Sequence, residues 1–197
     1  MAWITLPIYV NTNADDLLFE ALGEAGKAPE REFCRWTARA EFPPGVFQAE
    51  PGYEPTARRP LVYYLFGHLS DPLSVVLTID DYLDHLIAVA QEPALLPRVV
   101  WGALAKRALL FLGFRIDDWS FRALFRLLVN QPGAEARRGF AHIAAQLEPD
   151  EGRSTAPERA RQYLEQYFRN ENITIYWGTV DRFAADVGAR YTPPRRR

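Results

Sequence analysis

The residues able to do chemistry gather in five short stretches. They are Asn11-Thr12-Asn13-Ala14-Asp15, Phe66-Gly67-His68, Gly113-Phe114-Arg115-Ile116-Asp117, Gln146 to Pro149, and Gly178-Thr179. Each follows an apolar run that reads as a strand. In an open parallel sheet, ligands bind beyond the carboxyl ends of the strands, so these stretches are where a site belongs. Asn13 and Asp15 offer an amide and a carboxylate, and His68 offers an imidazole that accepts a proton near neutral pH. Gly113 and Gly178 end strands ahead of helices. Glycine there lets a ligand approach the backbone closely, and helix N–H groups favour anions.

Structural roles are open to the same residues. Asn13 or Asp15 can cap the helix that follows, and so can Asp117. His68 leads into Leu69-Ser70-Asp71-Pro72 and can be a turn residue. Arg115 can hold phosphate or pair with Asp117 or Asp118. His85 falls in a helix and His142 in a strand, and both read as structural. Several common machineries are absent. No two glycines lie two apart, so there is no Gly-x-Gly phosphate fingerprint. Neither Gly-x-x-x-x-Gly-Lys nor Gly-x-Ser-x-Gly occurs, which argues against a P-loop NTPase and an α/β-hydrolase. The histidines lack metal-cluster spacing.

The elements that must position these groups alternate. Ile4 to Val10 predicts a strand and Asp15 to Gly23 a helix. Residues 24–60 are rich in proline and read as an irregular excursion, with short strands expected around Phe33-Cys34 and Val46-Phe47. Leu61 to Leu65 and Ser74 to Thr78 predict strands. Thr78-Ile79-Asp80-Asp81 forms a capping box opening a helix to about Val89, and a second helix runs from about Leu96 to Lys106. Leu109 to Leu112, bounded by Gly113, suits a strand buried on both faces. Asp118 to Val129 predicts a helix and Phe140 to Leu147 a strand. Thr155-Ala156-Pro157-Glu158 opens a helix whose apolar face is Ala160, Tyr163, Leu164, Tyr167 and Phe168, ending at Asn172. Ile173 to Trp177 is the last strand and Val180 to Val187 the last helix. The alternation implies an α/β fold with a mostly parallel, doubly wound sheet. Residues 1–190 read as one domain and 191–197 as a basic tail.

Bulk properties narrow the setting. The chain has 197 residues, enough for one domain with a real core. Net charge is −2, which gives no field for nucleic acid. The basic residues are almost all Arg, with lysine only at positions 27 and 106, which reads as the coding bias of a GC-rich, bacterial genome. Cys34 is the single cysteine, so no internal disulfide and no multi-cysteine zinc site is expected, and the reducing cytoplasm fits. No apolar run reaches about 18 residues, so no membrane span is expected.

The stretches also carry a resemblance. Val10 to Leu18 resembles the Thr-Thr-Asn-x-Asp-x-Leu-Leu motif of sirtuin-like NAD-binding domains. Leu61 to His68, with Ser70-Asp71-Pro72 and Leu77 to Leu83, is similar to the block that carries His-Gly in that family. Leu110 to Trp119 is similar to its Phe-Leu-Gly-Tyr-Ser-x-x-Asp block, and Tyr163 to Gly178 to its last helix and strand. The resemblance implies a Rossmann-like fold and NAD or ADP-ribose as ligand. It also implies a lineage whose bacterial members hydrolyse NAD to ADP-ribose and nicotinamide in anti-phage defence. It places Asn13, Asp15 and His68 in catalysis, with Thr12, Gly67, Gly113, Phe114 and Gly178 against the dinucleotide. Two departures stand out. The family's opening Gly-Ala-Gly-x-Ser segment has no counterpart, so the domain is expected to lack its first βα nucleotide-binding unit. Phe66 holds the catalytic histidine position. His68, two residues on, would face the same side in an extended chain, roughly 6–7 Å further along. Four cysteines of a zinc ribbon are missing, so a protein deacylase is not expected. The alternative is a non-catalytic interaction module or gene fragment. An unpaired edge on the first strand would favour a homo-oligomer or a partner protein.

Overall fold

The computed structural model describes residues 4–37, 41–115, 143–148, 158–159, 162, 165–166 and 173–190. The predicted helix from Asp118 to Val129, together with Ile116, Asp117, His142, Asn172, the apolar face from Ala160 to Phe168 and the tail 191–197, lies outside them. So does the capping box at Thr155, except for Glu158. The chain divides into two compact units, residues 1–101 and 102–197, each taken here by itself.

The first unit is built on β1 (Ile8–Asn11), α1 (Leu17–Glu24), β2 (Glu30–Phe33), α2 (Val46–Ala49), β3 (Leu61–Tyr64), α3 (Ile79–Gln91) and the start of α4 (Arg98–Lys106). Its sheet is parallel with order β1-β3-β2, which puts β3 in the middle. Every residue of β3 is fully buried. That matches an unbroken Leu-Val-Tyr-Tyr run, since a strand covered on both faces has no reason to alternate. On one face Val62 and Tyr64 pack with Leu22 and Phe33. On the other, the Tyr63 hydroxyl donates to the Leu95 carbonyl and His85 Nε2 donates to the Leu65 carbonyl. Helices thus cover both sides, as the doubly wound reading requires.

Several boundaries differ from the sequence reading. The first strand begins at Ile8, because Pro7 has no N–H to give the sheet and can only accept, at 2.9 Å, from Leu61 N–H. Val46 to Ala49 is a helical turn, not a strand; the Gln48 side chain reaches back to accept from Gly45 N–H. The strand expected from Ser74 to Thr78 is not formed: Pro72–Ser74 is a 3₁₀ turn, and 75–78 lead into α3 without strand structure. Pro72 fixes the first position of the turn, and the Ser74 hydroxyl donates to the Asp71 carbonyl at 2.6 Å. The excursion 24–60 is tied down by charge. Arg59 bridges Glu30 and Glu50, and the buried Glu32 carboxylate holds Arg35.

The capping box at Thr78 is as expected. Thr78 Oγ1 accepts from Asp81 N–H at 3.1 Å, and Asp81 Oδ2 accepts from Thr78 N–H at 3.0 Å. From there α3 turns Tyr82, His85 and Val89 inward and leaves Ile79, Leu83 and Ile87 exposed.

The second unit holds a parallel sheet of β4 (Leu109–Arg115), β5 (Ile143–Glu148) and β6 (Ile173–Trp177), in that order, with α5 (Val180–Arg190) following. β4 does not stop at Gly113. It runs through it as a bulge, with the register slipping between Phe111 and Phe114, because Gly113 takes a φ of 77°. Leu110 is 40% exposed, so β4 is not buried on both faces as its apolar run suggested.

His85 carries a pH signature. It is fully buried, and burial pulls its pKa down from 6.5 to about 4. The unfolded chain therefore binds a proton that the folded chain refuses, so stability is full above the unfolded value and falls as pH drops from about 6.5 toward 4. The loss at pH 4 is on the order of 3 kcal/mol. Urea unfolding of the wild type and of His85→Gln should show the wild type losing more stability between pH 7 and pH 5. Parallel pH slopes would contradict this assignment.

Candidate functional site

Two loops meet at the carboxyl ends of β1 and β3. Leu65 N–H donates to the Asn11 carbonyl at 2.9 Å, and Leu69 N–H donates to the Ala14 carbonyl at 3.1 Å. The second bond fastens the loop carrying His68 onto the loop carrying Asn13 and Asp15. Asn11 is buried, and its Oδ1 accepts from Asn13 N–H at 3.1 Å, folding the first loop into an Asx turn. That turn leaves Asn13 exposed and Thr12 half-buried. Asp15 Oδ1 accepts from Leu17 N–H at 3.1 Å, the first residue of α1, so Asp15 does the work of a cap.

Asp16 does something else. It stands at the N-cap position without capping. Its Oδ1 instead receives three donors: Arg31 Nη2 at 2.5 Å, His68 Nε2 at 3.0 Å and the Tyr64 hydroxyl at 3.2 Å. Burial works against its charge. The hydrogen bond from His68 and the charge of Arg31 outweigh burial and hold the carboxyl below its usual range. Burial, then the Asp16 charge, pushes the Tyr64 hydroxyl up to about 12, so it stays a donor.

His68 is only 2% exposed. Its Nδ1 accepts from Ser70 N–H at 3.0 Å, which puts the proton of the neutral ring on Nε2, facing Asp16. The ring stands edge-on to Tyr64, with centroids 4.4 Å apart. The chain from Phe66 to His68 is not extended, because Gly67 takes a φ of 82°. The two side chains therefore go to different neighbours: Phe66 to Tyr82 and His85, each 5.2 Å away, and His68 to Tyr64 and Asp16. The expectation that both face one side fails at this glycine.

The structure thus brings Thr12, Asn13, Asp15, Gly67 and His68 together in the first unit. Gly113, Phe114 and Gly178 belong to the second, Gly113 and Phe114 within β4 and Gly178 just after β6. Sequence reasoning missed Asp16, Tyr64 and Arg31. The available signal was the pair Asp15-Asp16 ahead of a helix, where one carboxylate suffices as a cap. Arg31 lay in a segment with no legible pattern. Cys34 is buried, and burial raises its thiol to about 11, so it is no nucleophile. Among the described residues no cluster of His, Cys, Asp and Glu is placed to hold a metal.

Among known families, the model of the SIR2-like domain matches residues 7–176. Comparison with curated proteins returns no match. The matched span takes in all five stretches except Gly178-Thr179.

Gly67 is packed tightly against the backbone of its own loop. A Cβ there would lie 2.1 Å from the Ser74 carbonyl oxygen, on backbone that cannot swing away. Gly113 has a similar φ but nothing within 4 Å. Gly67→Ala should therefore cost at least about 2 kcal/mol, and Gly113→Ala about 1 kcal/mol from φ strain alone. Chemical denaturation checks the order, and equal losses would mean that the Ser74 contact does not matter.

Proposed function

Because the chain belongs to the SIR2-like domain family, we propose that it binds NAD, or the ADP-ribose derived from it, beyond the carboxyl ends of β1 and β3. We assign it to the NAD-hydrolysing, defence-type lineage as a slow member. The observation that carries this reading is the joined pair of loops: Leu69 N–H bonds the Ala14 carbonyl, between Asn13 and Asp15, and His68 bonds the Asp16 carboxylate. An amide and a carboxylate suit the sugar and amide end of the dinucleotide. Slow turnover follows from the acid–base inventory. Phe66 cannot take a proton, and His68 is buried with both ring nitrogens engaged. A missing general base lowers a rate by about 10²–10⁴-fold. The crevice is poorer at its phosphate end: the nearby cation, Arg31, is already paired with Asp16, and no Gly-x-Gly stretch exists. The scheme needs no zinc.

A second reading, a protein-interaction module, has its own observation. Ile79, Leu83 and Ile87 recur every four residues along α3 and are all exposed, at 64%, 45% and 53%. Among the described residues, β1 pairs on one side only. Self-association is the expected form, with no nucleic acid involved. No helix among the described residues is long and apolar enough to cross a membrane.

Two measurements test these readings. Calorimetry should give a binding heat with NAD and with ADP-ribose, and Asn13→Ala should weaken both by about tenfold. Nicotinamide release should be slow and should disappear in Asn13→Ala. A chain that binds neither ligand would sink the nucleotide reading. Light scattering should show a dimer or larger species that Leu83→Glu dissociates, and a monodisperse wild-type monomer would sink the association.

A further inference from the structure

We propose that Asp16 is the ribose-recognising group of this crevice, its Oδ2 accepting hydrogen bonds from the vicinal hydroxyls of one ribose of the dinucleotide. The inference rests on the nucleotide reading above and adds to it the residue and the part of the ligand. The two oxygens of the carboxylate are unequally engaged. Oδ1 takes Arg31, His68 and Tyr64, while no hydrogen bond to Oδ2 is found among the described residues. The side chain is 35% exposed, so the carboxylate is open to a ligand.

Its neighbours are differently placed: Asn13, exposed on the same loop, offers an amide but no charge. Asp15 Oδ1 caps α1, the two nitrogens of His68 face Asp16 and Ser70, and Phe66 has nothing to offer. Three donors on one oxygen, drawn from β2, the end of β3 and the loop beyond it, fix the plane of the carboxylate before any ligand arrives. Ordering it therefore costs the complex little. They also keep it ionised, which suits hydroxyl donors and disfavours phosphate at the same spot. A carboxylate beyond a strand end is a sound partner for ribose hydroxyls in parallel α/β sheets.

The test uses the full chain, NAD, and two NAD analogues, each lacking the 2′-hydroxyl of one ribose. By calorimetry the wild type should bind NAD about tenfold more tightly than one of the analogues. Asp16→Asn keeps the shape but turns one carboxylate oxygen into a donor. It should bind NAD about tenfold more weakly and no longer distinguish NAD from that analogue. A purely structural Asp16 would weaken all three ligands equally. Wild type that binds NAD and both analogues alike overturns the inference without any variant. Discrimination that survives in Asp16→Asn also overturns it and leaves the nucleotide reading standing. Wild type that binds none of the three overturns that reading, and the inference with it.

Discussion

The burial of β3 is the constraint on which the first unit depends. A strand with both faces covered and a neighbour on each edge has no access to water. Its polar groups must find partners in the protein or remain unpaired at a cost of about 1–3 kcal/mol each. The tyrosines show how this is met. Tyr63 reaches the Leu95 carbonyl on the α3 side, and Tyr64 reaches Asp16 at the start of α1. Each hydroxyl thereby fixes an element that the hydrophobic effect alone would leave free to slide. Asp16, in turn, becomes the assembly point for Arg31 of β2 and for His68 beyond β3. The candidate site is thus a by-product of satisfying the core's own polar atoms.

The fold was legible in the sequence wherever one local signal dominated. The unbroken Leu-Val-Tyr-Tyr run of β3, the reciprocal Thr78–Asp81 cap and the Ile173 to Trp177 strand all match the structure. Signals failed where two rules competed. Pro7 sits inside an otherwise strand-like run and delays β1. Val46-Phe47 is apolar and β-prone, yet Gln48 closes a helical turn over Gly45. Gly113 reads as a stop because glycine usually punctuates, while a left-handed φ can equally carry a strand through a bulge.

The site was partly legible for a related reason. Asn13, Asp15 and His68 lie in stretches that topology alone selects, and the Leu69–Ala14 hydrogen bond does bring the two loops together. What remained hidden was the division of labour. Nothing in a pair of adjacent aspartates says which one caps the helix and which one gathers donors; that depends on where Arg31, Tyr64 and His68 arrive, all distant in sequence. Spacing also misled at His68, since two residues predict the same side only if the chain stays extended. Gly67 bends it.

Helix α3 shows what a single buried nitrogen accomplishes. With Tyr82 and Val89 on one flank and Ile79, Leu83 and Ile87 on another, the helix is apolar most of the way round. Its polar side chains Asp80, Asp84 and Gln91 share one exposed sector, so oil-and-water sorting sets the rotation only coarsely. His85 removes the ambiguity, because only one rotation delivers Nε2 to the Leu65 carbonyl, 2.9 Å away. The imidazole acts as an index pin. It sharpens which way round the helix is held, and with buried Tyr82 and Val89 it sets where the exposed row of α3 points.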